Sequence, residues 1–173
     1  MELQRVHTNE FTAIQLFYHQ LIEMMEGSPY LPGWEKDIYP SDEMLHDALN
    51  KHELYAVEIN GTYVAAMIMN HDYNEGYKKA NWAITAKDNE VTVIHALGIL
   101  PTHQGQGLAK FLVQEAITRA QQNHQKAIRL DVLASNLPAH KLYTSLGFKL
   151  IDTVQMFYED TGWTDYLLYE YVL

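Results

Sequence analysis

The sequence predicts a single α/β (α+β) domain in which a mixed sheet is flanked by helices. The chain has 173 residues, of which 47% are hydrophobic, enough for one domain with a sizeable core. Strand-like and helix-like segments alternate between residues 91 and 146. No internal repeat, low-complexity run or linker interrupts the sequence, so residues 1–173 are expected to form one domain.

The first third of the chain predicts one strand and two helices. Residues 3–6 are a candidate first strand. Between residues 11 and 26 the apolar side chains recur at helical spacing, and the segment 27–33, rich in Gly and Pro, ends that helix. Ser41 is followed by two acidic residues and is therefore a good N-cap for a short helix reaching about Leu49.

The rest of the chain begins with a hairpin signal. Asn60-Gly61 suits a type I′ turn between strands at 54–59 and 62–69, and residues 71–90 are polar and irregular. The remaining elements are expected at 91–100 (strand), 108–120 (helix), 128–133 (strand), 138–146 (helix), 148–157 (strand) and 166–173 (strand). Gly147 follows the last helix, as is common at helix C-termini.

The composition excludes several classes of function. The formal net charge of −10 argues against a nucleic-acid partner, which requires a basic face. Because there is no cysteine, disulfides, thiolate metal sites and a cysteine nucleophile are impossible. The sequence starts without the apolar run of a signal peptide and has no stretch of membrane-spanning length. A cytoplasmic protein without membrane contact is therefore expected.

The charges are unevenly distributed along the chain. Residues 101–149 contain six Lys or Arg and two acidic residues, a net charge of +4, so the remainder carries −14. This division favours a polyanionic ligand on the basic segment and a cationic partner near the acidic remainder. A randomly uneven, solvated surface is the alternative interpretation.

The most informative segment is 93–110, which contains a buried strand, a glycine-bearing loop and the first turn of a helix. Free backbone N–H groups at a helix N-terminus bind phosphate. The loop lacks the Gly-Lys-Ser/Thr of a P-loop and the third glycine of a Rossmann fingerprint. It does match the pattern Q/R-x-x-G-x-G/A, through Gln104, Gly107 and Ala109.

A second motif follows at Asn136, which precedes a short helix that carries Leu142-Tyr143 and ends in Gly147-Phe148. Together the two motifs resemble the GNAT superfamily of acyl-CoA-dependent N-acetyltransferases. The resemblance covers most of residues 54–173. It implies the GNAT fold, a central mixed and mostly antiparallel twisted sheet flanked by helices, whose fourth and fifth strands are splayed around the cofactor. It also implies acetyl-CoA as co-substrate.

The resemblance implies a set of cofactor-binding residues. They are Leu97, Gly98 and Ile99 on the splayed strand, the loop residues Gln104, Gly105, Gln106, Gly107, Leu108, Ala109 and Lys110, and Asn136 and Tyr143. Gly98 fits a bulge in that strand. Instead of binding a cofactor, the loop could simply be the start of a helix after a turn. Asn136 could likewise serve only as the N-cap of the helix that follows it.

Two residues are candidates for acid–base catalysis. Tyr143 occupies the position of the family's general acid, where a phenol protonates the leaving thiolate; a packed helix-face tyrosine is the alternative. His95 lies in a strand that resembles that of serotonin N-acetyltransferase, where a histidine at this place belongs to a proton path. That enzyme has a second histidine where this chain has Val93, and a packed core histidine is the alternative. Glu90, at the start of the same strand, is the second candidate for the general base.

The aromatic residues Tyr30, Trp34, Tyr39 and Trp82 are candidates for the acceptor pocket, or else for lid and core packing. No metal is expected, because the histidines show no ligand spacing. The predicted reaction is direct acetyl transfer to a primary amine, either small or protein-borne. The alternatives are a non-catalytic acyl-CoA-binding or sensing module and an unrelated nucleotide-binding α/β protein. The oligomeric state is left open between monomer and homodimer, since dimers are frequent in the family.

Overall fold

The computed structural model describes all residues, 1–173. Four α-helices are present, namely α1 (Phe11–Met24), α2 (Asp42–Asn50), α3 (Leu108–Gln122) and α4 (Leu137–Ser145). The seven strands are β1 (Gln4–Arg5), β2 (Leu54–Ile59), β3 (Thr62–Asn70), β4 (Val91–Ile99), β5 (Ala127–Leu133), β6 (Lys149–Tyr158) and β7 (Gly162–Val172). None of the helices combines the length and the apolar character needed to cross a membrane.

All seven strands form one sheet in the order β1-β2-β3-β4-β5-β7-β6. Every neighbouring pair is antiparallel except β4 and β5, which are parallel. Helices α1 and α2 pack against β2, β3 and β4, whereas α3 packs against β3, β4 and β5. The predicted sheet, mixed, mostly antiparallel and flanked by helices, is therefore confirmed.

Local sequence signals account for several of these elements. Asn60 and Gly61 have φ values of 52° and 77°, the positive angles that a type I′ turn requires. The Ser41 side chain accepts a hydrogen bond from the backbone N–H of Met44 at 3.1 Å, which caps α2 as predicted. Gly147 adopts φ 96° directly after α4, a left-handed angle that favours glycine.

Two predictions about strands, and one about the segment 71–90, were wrong in their details. The first strand comprises only Gln4–Arg5, shorter than the predicted 3–6. The last strand begins at Gly162 rather than at residue 166, because its ladder with β6 continues up to the Tyr158–Gly162 pair. The segment 71–90 is not wholly irregular, since it contains the 3-10 turns Glu75–Lys79 and Asp88–Glu90.

Strands β4 and β5 diverge after a short region of pairing. Their ladder has three pairs and ends at Val93, opposite Arg129. Strand β5 nevertheless stays paired with β7 as far as Leu133. The two strands are therefore splayed at one end, as the resemblance implied.

A bulge interrupts β4 next to this opening, but it is not at Gly98 as predicted. The register with β3 shifts between the pairs Gly98–Ala66 and His95–Ile68, so the extra residue lies at 96–97. Ala96 has φ 49°, and its carbonyl accepts a hydrogen bond from the buried Tyr18 hydroxyl at 2.9 Å. Gly98 is paired and lacks room for a Cβ, which would collide with Leu21.

Candidate functional site

A cavity opens where β4 and β5 diverge. Its walls come from residues 94–97 of β4, residues 130–133 of β5, helix α4 with the residue before it, the loop between α1 and α2, and the β6–β7 hairpin. Six of the site residues predicted from the sequence line it, namely His95, Leu97, Asn136, Tyr143, Trp34 and Tyr39. The fold thus brings the two candidate acid–base residues to one cavity.

The other predicted residues lie elsewhere. Gly98 and Ile99 are paired with β3 at the far end of β4, and Tyr30 is 43% exposed. Trp82 lines a different pocket, where the Arg129 guanidinium lies 4.3 Å from its ring centre. The Trp82 indole N–H donates to the backbone carbonyl of Tyr77 at 2.9 Å, so this tryptophan packs within the segment that precedes β4.

The glycine loop between β4 and α3 presents a run of free donors. Gly105 and Gly107 have φ values of 74° and 82°, and the space where their Cβ atoms would be is open. None of the backbone N–H groups of residues 105–110 donates to a protein acceptor; the first amide of α3 that does is Phe111, which bonds the Gly107 carbonyl at 2.9 Å. Six amides at a helix N-terminus make a site for an anion such as a phosphate.

The loop is fixed to the strand before it by its own side chains. The Gln104 amide donates to the backbone carbonyl of Ile99 at 3.3 Å, at the end of β4. The Gln106 amide donates to the carbonyl of Thr102 at 3.4 Å. Leu108 is buried and anchors the first turn of α3, while Lys110 is exposed at the same helix end. The amides of the loop therefore keep a defined position relative to β4.

His95 is half-buried, and its tautomer follows from its partners. Its Nε2 lies 2.8 Å from Asn70 Oδ1 and 2.9 Å from the backbone carbonyl of Asp72. Since a carbonyl only accepts, Nε2 carries the hydrogen and Nδ1 keeps its lone pair. Burial lowers the pKa of His95, an effect that the negative charge of Asp131 opposes. The imidazole is therefore neutral near pH 7 and able to accept a proton.

Tyr143 and Asn136 face the cavity from α4 and its N-terminus. The Tyr143 ring is buried against Phe148 and Tyr169, but its hydroxyl makes no protein hydrogen bond. Burial, and then the charge of Asp131, raise the pKa of Tyr143, which keeps the phenol protonated. Asn136 Oδ1 accepts from the backbone N–H of Ala139 at 3.4 Å, so this residue does cap α4.

The sequence reasoning missed the carboxylate at the centre of the cavity. Asp131 Oδ2 accepts hydrogen bonds from the hydroxyls of Tyr77 at 2.7 Å and Tyr158 at 2.9 Å, whereas Oδ1 has no protein donor. Burial raises the pKa of the Asp131 carboxyl. A charged residue within the apolar strand Ala127–Leu133 was the available signal, because its face of β5 turns toward the opening.

A chain of aromatic rings forms the other side of the cavity. Trp34 and Tyr39 lie 6.0 Å apart, Tyr39 and Tyr158 lie 5.9 Å apart, and Tyr158 and Tyr166 lie 5.1 Å apart, measured between ring centres. Asp160 lines the same side, and burial raises its pKa. Trp34 and Tyr39 were predicted from the sequence, whereas the tyrosines of the last hairpin were not.

Two further groups of titratable residues lie outside the cavity. The second candidate base, Glu90, pairs with Lys126, with Oε1 and Nζ 2.9 Å apart. His19, Asp37 and Asp42 each place one possible ligand atom within 4.8 Å of the others, and both carboxylates of this group are exposed. Neither group contributes a residue to the lining of the cavity.

The model of the acetyltransferase (GNAT) family matches residues 16–148 of the chain. The chain belongs to the GNAT acetyltransferase family. The match includes the splayed strands, the glycine loop and all of α4, and it ends at Phe148. The resemblance noted in the sequence is thus confirmed.

Among curated relatives, this GNAT protein is 35% identical to the N-acetylaspartate synthetase of Xenopus tropicalis over 42% of the chain and 28% of that protein. It is 33% identical to the ribosomal protein bS18-alanine N-acetyltransferase of Haemophilus ducreyi, over 49% and 66% of the two chains. The corresponding Escherichia coli K12 enzyme is 29% identical, over 54% and 63%. The chain therefore spans less than two thirds of each of these relatives.

Solved structures of the family share the whole fold. An acetyltransferase of the GNAT family from Streptococcus agalactiae superposes with a TM-score of 0.80 at 16% identity, over 99% of this chain and 95% of that one. A Salmonella typhimurium protein solved with its cofactor acetyl-CoA gives a TM-score of 0.71 at 15% identity, over 100% and 94%. At these identities the likeness shows the fold.

The residues of this GNAT protein fit a CoA thioester. Six free amides at the start of α3 suit the diphosphate, since they are donors at the positive end of a helix. The β5-facing edge of β4 is unpaired beyond Val93, which leaves backbone groups for an extended arm. The Tyr143 hydroxyl and the Asn136 amide N–H groups have no protein acceptor, and both residues line the cavity from α4 and its N-terminus.

The glycine loop gives a first testable prediction. Gly107→Val should weaken acetyl-CoA binding about tenfold, because a left-handed angle costs an L-residue about 1–2 kcal/mol. Valine relieves this strain by leaving the conformation that aims the six amides. Isothermal titration calorimetry measures the change.

Gly61→Val is the matched control for the glycine loop. Gly61 has φ 77°, and its Cβ position is open, as at Gly107, but it lies in the β2–β3 turn. Both substitutions should destabilise the fold by similar amounts, and only Gly107→Val should affect binding. Equal affinities for acetyl-CoA in the two variants would contradict a role of the loop.

Proposed function

We propose that residues 1–173 form one N-acetyltransferase domain that transfers the acetyl group of acetyl-CoA directly to a primary amine. The observation that carries this proposal is the meeting of Tyr143 and His95 at the cavity between the splayed strands, together with the free amides of the glycine loop that follows β4. Family membership supports the chemistry. The absence of cysteine excludes a cysteine acyl-enzyme and favours direct transfer.

Acetyl-CoA supplies the thioester from which the acetyl group is taken. The amides of residues 105–110 hold the diphosphate, and the unpaired edge of β4 aligns the arm with the opening. Asn136 lines the cavity at the start of α4, and its amide N–H groups are donors for the same arm. The protein thereby places the thioester between Tyr143 and the aromatic side of the cavity.

Three proton transfers complete the proposed reaction. An amine with an ordinary pKa near 10.4 is almost wholly protonated at pH 7, so it needs a base. His95 Nδ1 takes one proton from the ammonium group, while Nε2–H stays bound to Asp72 and Asn70, and the freed lone pair of the nitrogen then forms the bond to the carbonyl carbon. The Tyr143 hydroxyl donates its proton to the sulfur as the carbon–sulfur bond breaks, and the second proton lost by the nitrogen restores the phenol.

The decisive experiment is release of CoA from acetyl-CoA over a panel of primary amines. A thiol reagent reports CoA without background, because the protein has no thiol of its own. Turnover with an amine is expected. Absence of acetyl-CoA binding would contradict the proposal, and binding without turnover for any amine or peptide N-terminus would favour a non-catalytic acyl-CoA-binding module.

The role of His95 predicts a pH dependence. At saturating amine, kcat should fall as the pH drops below about 6.5, since burial holds the pKa of His95 below that ordinary value and protonation removes the base. His95→Gln should lower kcat about 100-fold and move the acidic limb to higher pH, because the amine must then lose its proton to water. Initial rates between pH 5 and about 10 measure both effects.

His71→Gln is the control for this profile. His71 Nδ1 lies 2.7 Å from the Val91 carbonyl, outside the cavity, so its loss should leave the profile unchanged. Because the folded-state pKa of His95 is below the unfolded value, the stability that this residue contributes is present above pH 6.5 and declines at lower pH. Circular dichroism at each pH therefore checks folding. An identical acidic limb in wild type and His95→Gln would rule out His95 as the base.

A further inference from the structure

The half-buried Asp131 carboxylate lines the cavity with no Lys or Arg beside it. Its two donors, Tyr77 and Tyr158, are neutral phenols that bond the same oxygen, so Oδ1 has no protein donor. His95 lines the same cavity, but it is neutral near pH 7. Charges withdrawn from water are normally paired, and a cationic ligand would supply the partner of this carboxylate.

The surroundings of Asp131 suit a cation. The rings of Tyr39, Tyr158 and Tyr166 stand next to one another along the same wall, and aromatic faces attract ammonium groups. Asp160 adds a second carboxyl to the lining. Two acids and several π faces, with no Lys or Arg and with His95 neutral near pH 7, give the cavity lining a negative potential.

The same surroundings disfavour an acceptor that carries a carboxylate. Such a group would share the cavity with Asp131 and Asp160, with no Lys or Arg to receive it, and like charges repel each other. An aspartate-like acceptor would bring two carboxylates. The lining should therefore bind an amine more tightly than the amino acid that has the same structure with an added carboxylate.

We propose that Asp131 binds the ammonium group of a small primary amine without a carboxylate, and that this class of amine is the acceptor. Assignment as the acceptor rests on the proposed acetyl transfer, whereas binding of the amine does not. The rings of Tyr39, Tyr158 and Tyr166 enclose the carbon chain beside the charged group.

The test compares each amine with the amino acid that differs by one carboxylate. Cadaverine is paired with lysine, and phenylethylamine with phenylalanine, in calorimetric titrations of the whole chain. At least one amine should bind at least about tenfold more tightly than its amino acid. No binding of either amine, or equal binding within both pairs, would overturn the proposal.

Asp131→Asn sharpens the test, because its amide oxygen can still accept from Tyr77 and Tyr158 while the charge is lost. It should weaken amine binding at least about tenfold and leave acetyl-CoA binding unchanged. Asp88→Asn is the control, since Asp88 accepts from the Tyr73 hydroxyl at 3.0 Å outside the cavity. Amine binding that survives in Asp131→Asn would overturn the proposal. If that variant does not fold, the comparison of each amine with its amino acid on the wild-type protein tests the proposal instead.

Release of CoA separates the two proposals. Amine binding with no CoA release would contradict acetyl transfer and leave amine recognition by Asp131 intact. CoA release with amino acids or peptide N-termini but not with the matched amines would keep the enzyme and overturn the proposed acceptor class. CoA release with the amines, reduced in Asp131→Asn, would support both.

Discussion

Replacement of Tyr143 by phenylalanine is expected to lower kcat for acetyl transfer about 100-fold or more, the usual contribution of a general acid. The hydroxyl makes no protein hydrogen bond, so its loss removes no contact that stabilises the fold. The melting temperature should therefore stay within about 2 °C of wild type. Single-turnover release of CoA and a thermal melt measure the two quantities.

Tyr169→Phe is the matched control for this prediction. The Tyr169 ring centre lies 6.3 Å from that of Tyr143, but its hydroxyl contacts His140 Nδ1 at 2.9 Å and does not line the cavity. This variant should keep wild-type kcat. Acetyl-CoA affinity should be nearly equal in both variants. A Tyr143→Phe enzyme with more than half of the wild-type kcat would exclude this residue as the acid.

The parts of the fold that the sequence predicted well depend on local chemistry. A type I′ turn needs positive φ at both central residues, so Asn60-Gly61 fixes the first pairs of its hairpin, Ile59–Thr62 and Glu58–Tyr63, before the register shifts at Val57. The hydroxyl of Ser41 and the glycine at 147 mark helix ends for similarly local reasons. The free amides of the glycine loop were also predictable, because they depend on backbone conformation within six residues.

The aromatic and acidic side of the cavity could not be predicted in the same way. Tyr39 lies in the loop between α1 and α2, Asp131 on β5 and Tyr158 at the end of β6, so these residues meet only through the tertiary fold. The bulge was misplaced for a related reason. Glycine at 98 suggested a special backbone angle, but it is there to avoid Leu21, whereas Ala96 takes the positive φ and is held by Tyr18.

A buried ion pair lies where the pairing of β4 and β5 ends. Val93 and Arg129 are the last residues of β4 and β5 that pair. There the Arg129 Nε lies 2.7 Å from Glu170 Oε2, and Glu170 is 1% exposed. A second Arg129 nitrogen donates to the carbonyl of Ile84 at 2.9 Å, and Glu170 Oε1 accepts from the Ala83 amide at 2.8 Å. The pair therefore ties β5, β7 and the segment before β4 together.

Arg129→Met should lower the free energy of unfolding by about 3–5 kcal/mol, because it leaves the Glu170 carboxylate buried without a cation. Lys126→Met is the control: the Lys126–Glu90 pair at the start of the same strand is partly exposed, and its loss should cost about 0–1 kcal/mol. Urea unfolding measures both. Adding Glu170→Gln to Arg129→Met should recover part of the loss, since the uncompensated charge is gone. A cost for Arg129→Met no larger than that for Lys126→Met would show that water reaches Glu170, and that the closed end of the opening is held by β-pairing alone.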